Sequence, residues 1–214
     1  IDERIARLKK DLADVKRTRA LHRLARKRVP YPIVALVGYT NAGKSTLFNR
    51  LTSADTYVAN QLFATLDTTS RRMYAEGLQG TIVISDTVGF IRHLPHSLVA
   101  AFRSTLEETA QADVLLHVVD AGNPDRDGQV AEVNKVLHEV GAQGIPQILV
   151  LNKIDLLGMP AGVERDEYGR ITTIRLSAKT GEGIDGLRAA LAEICEARQK
   201  QKDVQPEEWH PLMN

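Results

Sequence analysis

Several features that identify protein classes are scarce or absent in this sequence. The 214 residues include one cysteine and one tryptophan, and aromatic residues make up 5% of the chain. The single Cys195 provides neither a disulfide framework nor a zinc site with the usual ligand spacing. No apolar run approaches the ~18 residues that a bilayer span needs, and no short apolar segment with a cleavage site opens the chain. We therefore expect a cytoplasmic protein.

Charge is unevenly distributed along the chain. The formal net charge is +1, but residues 1–28 carry eleven Lys or Arg against four Asp or Glu, and the remainder carries seventeen against twenty-three. Seven basic residues follow one another without an intervening acid: Lys16, Arg17, Arg19, Arg23, Arg26, Lys27 and Arg28. Such a run is typical of a surface that faces nucleic-acid phosphate, and a solvated helix face is the alternative.

The first segment has the apolar pattern of a helix that needs a partner. Its apolar residues recur at spacings of four and three, which places them on one face. They are Ile1, Ile5, Leu8, Leu12 and Val15. Because nothing obvious in the chain covers this face, we expect residues 1–28 to be the end of a larger N-terminal region. Pro30 and Pro32 then predict a linker.

The remaining sequence predicts an α/β fold. Short runs rich in Val, Ile and Leu alternate with helical periodicity, and the predicted strands are 33–37, 81–85, 114–119 and 148–151. This pattern favours a mainly parallel sheet with helices on both faces and functional loops at the carboxyl ends of the strands. An antiparallel hairpin strand is predicted near residues 72–76. We divide the chain into a basic helix (1–28), a main domain (29–198) and a weakly ordered tail (199–214).

Residues 38–45 match the phosphate-binding loop of P-loop NTPases. They lie where that loop must lie, between a strand and a helix that starts near Lys44. Glycines there let backbone N–H groups surround a diphosphate, while Lys44 reaches the β and γ phosphates and the Ser45 hydroxyl binds Mg²⁺. The expected nucleotide contacts are Gly38, Tyr39, Thr40, Asn41, Ala42, Gly43, Lys44, Ser45 and Thr46.

A second motif, residues 86–89, follows the next predicted strand. The Asp86 carboxylate there can hold Mg²⁺ through water, and the Gly89 N–H can detect a γ-phosphate. Such a short pattern is weak alone and gains its value from its order and spacing after the phosphate-binding loop. We include Thr87 and Val88 in the predicted site.

Two further motifs predict recognition of guanine. Asn152, Lys153 and Asp155 follow a buried strand, and the Asp155 carboxylate can accept hydrogen bonds from the guanine ring N–H and its exocyclic amine. Adenine lacks this pair of donors, so discrimination on the order of 10⁴ is reasonable. The later motif, Ser177, Ala178 and Lys179, places the Ala178 N–H where it could meet the guanine oxygen. These four motifs, in this order and together with the switch threonine described next, predict a guanine-nucleotide switch.

A switch threonine is expected between the phosphate-binding loop and the next strand. Such a residue coordinates Mg²⁺ only while the γ-phosphate is present. The candidates are Thr65, Thr68 and Thr69, and the surrounding residues included in the predicted site are Phe63, Ala64, Leu66 and Asp67.

The chain resembles the HflX family of bacterial GTPases over roughly residues 1–195. The residues that carry the resemblance are 38–46, 62–67, 86–98 and 101–108, and the long third segment is the most specific. The resemblance implies a protein with an N-terminal domain, a coiled-coil stretch and this G domain, which binds the large ribosomal subunit and helps to split ribosomes. It also implies that the basic helix ends the coiled-coil stretch beside ribosomal RNA. Thr65 is favoured as the switch threonine on this basis.

The resemblance also bears on catalysis, for which we expect Lys44, Thr65 and Gly89 to be essential. Phe90 stands where signalling GTPases have a water-orienting Gln, so we expect intrinsic turnover on the order of 10⁻⁴ to 10⁻² per second and stimulation by the ribosome. Asn41 matches a residue that holds K⁺ in related proteins, with a purely loop-stabilising role as the alternative. Arg92, His93 and His96 lie beside this motif, and surface or helix-start roles are favoured for them.

Two other functions compete with a ribosome-directed GTP hydrolase. One is a nucleotide-gated RNA- or protein-binding module with negligible hydrolysis. The other, a metabolic kinase, is disfavoured because residues 152–155 recognise guanine and no acceptor-substrate constellation is apparent. We expect this chain to be monomeric and, without the N-terminal domain, not to split ribosomes by itself.

Overall fold

The computed structural model describes residues 31–52, 69–75, 80–90 and 109–204. The chain divides into two compact units, 1–31 and 32–214, and every element below belongs to the second. The predictions for the basic helix, for residues 62–68 with Thr65, and for Arg92, His93 and His96 lie outside the described residues. Within the described part of the chain, no helix has the length and apolar character needed to cross a membrane.

A seven-stranded sheet forms the centre of the second unit. Its strands are β1 (Ile33–Val37), β2 (Thr69–Ala75), β3 (Gly80–Asp86), β4 (Val114–Asp120), β5 (Gln147–Asn152), β6 (Gly162–Arg165) and β7 (Ile171–Arg175). Their spatial order is β2-β3-β1-β4-β5-β7-β6. The five inner strands run parallel, and the two edge strands β2 and β6 run antiparallel to their neighbours. The predicted α/β fold is therefore confirmed.

Helices cover the sheet and explain why its inner strands are continuously apolar. They are α1 (Lys44–Thr52), α2 (Arg126–Glu139) and α3 (Ile184–Val204), with a 3₁₀ turn at Ile154–Leu156. On β4, Leu116 packs in the core that includes α1 and α3 residues, whereas Leu115 packs in the other core with Leu137 of α2. Because both faces are covered, alternate side chains of a strand must both be apolar.

The edge strands β2 and β6 and the end of α3 can be compared with the sequence predictions. The antiparallel β2–β3 hairpin is confirmed, but β6 was not predicted because its four residues include a single large apolar side chain, Val163. α3 continues to Val204, whereas the sequence analysis ended the main domain at residue 198. Residues 199–204 are mainly good helix formers, and Pro206 is the first residue that disfavours further helix. Residues 205–214 lie outside the described residues.

Candidate nucleotide-binding site

Parallel strands bring the predicted motifs to one edge of the sheet. The phosphate-binding loop follows β1, Asp86 ends β3, Asn152 ends β5, and Ser177 follows β7 shortly after its end. Loops at the carboxyl ends of such strands are where ligands bind in open α/β sheets. The described parts of the predicted site therefore lie together.

Glycine is required at two positions of the phosphate-binding loop by close backbone packing. Gly38 has φ 143°, and a Cβ atom there would lie 2.1 Å from the carbonyl oxygen of Val118. Gly43 has φ 95°, and its Cβ would lie 2.2 Å from Nδ2 of Asn152. The loop thus packs directly on β4 and on the end of β5, which positions its backbone before any ligand arrives.

The Lys44 side chain packs against the phosphate-binding loop. It is buried, and Nζ donates hydrogen bonds to the carbonyl oxygens of Gly38 at 3.0 Å and Tyr39 at 2.8 Å. Burial lowers the pKa of Lys44 to about 8, an effect that the charge of Asp86 partly offsets. The ammonium group is therefore partly deprotonated at mildly alkaline pH.

We expect the GDP affinity of the wild-type protein to fall as the pH rises through 8. Diphosphate charge favours the ammonium form of Lys44, so binding takes up a proton wherever the free protein has lost one, and below pH 8 the affinity levels off. The fall should approach about tenfold per pH unit. Calorimetric titration in two buffers of different ionisation enthalpy measures both the affinity and the proton uptake.

The Lys44→Arg variant is the control for this titration, because an arginine stays protonated throughout the range. Its affinity should be weaker but independent of pH between about pH 7 and about pH 9, where the guanine ring N–H is still present. A pH-independent affinity of the wild-type protein between about pH 7 and about pH 9.5 would contradict the assignment.

Two of the predicted Mg²⁺ ligands are already in contact. Ser45 Oγ donates a hydrogen bond to Asp86 Oδ2 at 2.7 Å, and Asp86 is 1% exposed. A hydroxyl and a carboxylate are the hard oxygen donors that Mg²⁺ prefers when phosphate oxygens and water complete its shell. These residues therefore fit a magnesium ion.

Gly89 lies against the phosphate-binding loop. The Phe90 N–H donates to the Gly38 carbonyl at 3.0 Å, and the Thr40 N–H donates to the Phe90 carbonyl at 2.8 Å. A Cβ on Gly89 would lie 3.0 Å from Lys44 Nζ, so the Gly89 backbone borders the phosphate end of the site. Thr87 directs its hydroxyl away from this end, because it donates to the Leu36 carbonyl at 2.5 Å.

The buried Asn152 side chain joins three of the motifs. Nδ2 donates to the Ala42 carbonyl of the phosphate-binding loop at 2.9 Å, and Oδ1 accepts the Ala178 N–H at 2.9 Å. The sequence prediction assigned that Ala178 N–H to the guanine oxygen, whereas in this structure it donates to Asn152. One amide therefore fixes the loop after β7 relative to the loop after β1.

The residues after Asn152 form the predicted base-recognition segment. Lys153 has φ 67°, and its Nζ forms a 2.8 Å ion pair with Asp120 Oδ2 at the end of β4. Asp155 Oδ1 is buried and accepts no hydrogen bond in the described part of the chain. A buried carboxylate oxygen without a donor is unfavourable, so it fits a ligand that supplies N–H groups.

The last motif forms a turn at the end of β7. Ser177 is fully buried, its Oγ accepts the Thr180 N–H at 3.1 Å, and its carbonyl accepts the Gly181 N–H at 2.8 Å. Lys179, in contrast, is exposed. The serine therefore shapes the loop that carries Ala178 and Lys179.

Sequence reasoning missed several residues that shape this site. Asp120 could have been found, because it is a polar residue at the end of a buried parallel strand. Glu132 of α2 accepts a hydrogen bond from the Tyr39 hydroxyl, and Arg50 of α1 binds carbonyls of the loop after β7. No local pattern indicates either, since both contacts join residues far apart in sequence.

His117 on β4 is a buried histidine that the motifs do not include. Burial, together with the charge of Lys44, lowers the pKa of His117 to about 4. Gln147 Nε2 lies 2.8 Å from its Nδ1 and also donates to Asn134. His117 is therefore neutral near pH 7 and adds no positive charge next to Lys44.

Comparison with known sequences is consistent with this geometry. A family model described as "50S ribosome-binding GTPase" matches residues 33–153. The chain is 51% identical over 191 residues to GTPase HflX of Escherichia coli (strain K12), covering 89% of this chain and 45% of that protein. It is 54% identical over 192 residues to GTPase HflX of Magnetococcus marinus, covering 89% and 44%. The chain thus spans less than half the length of these relatives.

Solved structures give the same picture of the fold. A complex of SsGBP with GDP has a TM-score of 0.70 and 27% identity, covering 92% of this chain and 60% of that one. NFeoB from S. thermophilus bound to GDP.AlF4⁻ and K⁺ has a TM-score of 0.56 and 27% identity, covering 74% of this chain and 60% of that one. Both neighbours are guanine-nucleotide complexes.

Proposed function

Because this chain belongs to the 50S ribosome-binding GTPase family and, within it, to the HflX GTPases, we propose that its nucleotide state controls docking to the large ribosomal subunit and ribosome splitting. The chain is a guanine-nucleotide-binding GTPase domain. Ribosome docking and splitting are the proposed part, and they place its action in the cytoplasm. The description of the family model that matches residues 33–153 supports the ribosome part of the proposal. The buried Asn152 amide, which joins the phosphate and guanine ends of one site, supports the nucleotide-controlled part.

The phosphate end of the site acts by positioning and by charge. On nucleotide binding, Lys44 exchanges its two carbonyl acceptors for phosphate oxygens, while backbone N–H groups of residues 38–45 surround the diphosphate. Ser45 and Asp86 would hold Mg²⁺, which supplies charge neutralisation to the β and γ phosphates when bound. Gly89 presents its N–H to the γ-phosphate, and Thr65 is proposed as the residue that completes the metal shell.

The guanine end of the site acts through the Asp155 carboxylate, whose buried Oδ1 accepts no hydrogen bond in the described part of the chain. The Asp155 carboxylate receives the ring N–H and the exocyclic amine of guanine, which satisfies its buried Oδ1. Lys153 is held by Asp120, so its methylene groups can cover one face of the base. An adenine nucleotide would leave the carboxylate unsatisfied.

Slow intrinsic hydrolysis follows from the residue after Gly89. Phe90 is 3% exposed and has no polar side-chain atom with which to orient water. We propose that the large ribosomal subunit orients the attacking water instead. K⁺ near Asn41, whose φ of 60° places it at an exposed bend of the phosphate-binding loop, is proposed as a second source of positive charge.

We expect large ribosomal subunits to accelerate single-turnover GTP hydrolysis by at least about tenfold over an intrinsic rate on the order of 10⁻⁴ to 10⁻² per second. The reason is that a docked partner can order the attacking water, which Phe90 cannot. The assay uses radiolabelled GTP with large subunits, and with small subunits as the control. Running each reaction in KCl and in NaCl tests the proposed K⁺ site.

The outcomes separate the parts of the proposal. An intrinsic rate near 10 per second would contradict the role given to Phe90. Equal rates with large and small subunits would remove ribosome docking and leave the GTPase assignment unaffected. Equal rates in the two salts would reduce Asn41 to a loop-stabilising residue.

A further inference from the structure

Arg50 connects the two ends of the nucleotide-binding site through α1. This helix begins at Lys44, the phosphate ligand, and Arg50 lies in its last turn, about 9 Å further along the helix axis. The Arg50 side chain leaves the helix toward the loop after β7. Its Nε donates to the Ala178 carbonyl at 3.2 Å, and its Nη2 donates to the Lys179 carbonyl at 2.6 Å.

A second helix also contacts Arg50. Arg188 of α3 donates from Nη2 to the main-chain carbonyl of Arg50 at 3.3 Å. The Arg50 guanidinium is planar and holds its donors in a rigid arrangement. Because two of these donors bind consecutive carbonyls, they also define the orientation of both peptide groups. Arg50 therefore sets how the Ala178–Lys179 segment faces the site.

The orientation of one carbonyl determines the direction of the neighbouring N–H. In a trans peptide the C=O and the N–H point in opposite directions, so an Ala178 carbonyl aimed at Arg50 turns the Lys179 N–H away from α1. The Ala178 N–H already donates to Asn152. Lys179 donates no main-chain hydrogen bond within the described residues, which leaves its N–H as the donor in this turn that a ligand can use.

We propose that Arg50 is a positioning residue for guanine recognition, which holds the Ala178–Lys179 peptide so that the Lys179 N–H donates to the 6-oxo group of guanine. This inference rests on the proposed function, because it requires a guanine beside residues 152–155 and 177–179. It assigns guanine selectivity partly to the helix that also carries the phosphate ligands.

The test compares GDP with 6-thio-GDP, which keeps both donors to Asp155 and replaces the 6-oxo acceptor by a weaker sulfur acceptor. In the Arg50→Ala variant, GDP binding should weaken about tenfold, the value of one lost hydrogen bond. Binding of 6-thio-GDP should hardly change, so the preference for GDP over 6-thio-GDP collapses. Arg170→Ala is the matched control, because Arg170 is an exposed arginine. It lies on the β6–β7 turn, which precedes β7, whereas residues 177–179 follow the other end of that strand.

The comparison distinguishes positioning from a structural role. Equal weakening of both nucleotides, or unchanged binding of both, would overturn the inference. Should Arg50→Ala fail to fold, Arg50→Lys provides the same test, since one ammonium cannot hold two carbonyls in a fork and should give an intermediate ratio. A wild-type protein that binds ADP as well as GDP would overturn the guanine-site assignment itself, which is a distinct result.

Discussion

Replacing Asp155 by asparagine is expected to lower the affinity for GDP by about 10³-fold to 10⁴-fold and to create affinity for xanthosine diphosphate. The wild-type carboxylate accepts from two guanine donors, and its Oδ1 is buried without another hydrogen bond in the described structure. An asparagine offers one acceptor and one donor. It matches the ring N–H and the 2-oxo group of xanthine and opposes the guanine amine.

Competition binding with fluorescent GDP and fluorescent xanthosine diphosphate measures this exchange of preference. Asp127→Asn is the control, because its carboxylate is highly exposed on α2 and both affinities should stay at the wild-type values. ATP should fail to compete with GDP in the wild-type protein. If ATP competes as well as GTP, Asp155 does not recognise the base, and the assignment reduces to nucleotide binding of unsettled specificity.

Gly38→Ala should destabilise the folded protein by on the order of 4 kcal/mol. The added methyl carbon would lie 2.1 Å from the Val118 carbonyl oxygen, far inside any non-bonded contact, and the φ of 143° is itself unfavourable for a side chain. Relief would require β1 or β4 to move, and both strands are central in the sheet. Urea unfolding of the nucleotide-free protein measures the loss.

Gly144→Ala is the matched control for this substitution. A Cβ at Gly144 has no heavy atom within 4 Å, and its φ lies outside the left-handed region. Its free energy of unfolding should stay within about 0.5 kcal/mol of the wild-type value. A Gly38→Ala protein that unfolds with nearly the wild-type free energy would contradict the packing of the loop on β4.

The sequence predicted the elements whose signals are local. β1 was predicted with the observed bounds, and β4 and β5 within one residue at each end, because each is a continuous apolar run. β6 escaped prediction because it is stabilised from outside its own sequence. Its Arg165 pairs with Glu193 of α3, and its Glu164 pairs with Arg175 of β7.

The candidate site likewise has parts that local sequence predicts and parts that it does not. Residues 38–45 and 152–155 could be assigned from spacing, because phosphate and guanine each demand a fixed set of donors and acceptors in a short segment. The contacts that hold these segments together could not. The pairing of Arg50 with the Ala178 carbonyl joins residues 128 positions apart, and that of Asn152 with Ala42 joins residues 110 apart. Only the folded sheet brings them within reach.

The Asn152 amide makes the two halves of a nucleotide interdependent as ligands. We expect a base beside Asp155 to stabilise the amide orientation that holds the Ala42 carbonyl, and a diphosphate in the loop to stabilise the same orientation from the other side. By thermodynamic reciprocity each half raises the affinity for the other to the same extent. We therefore expect guanosine and pyrophosphate, supplied as separate molecules, to act as positive effectors of one another on this chain.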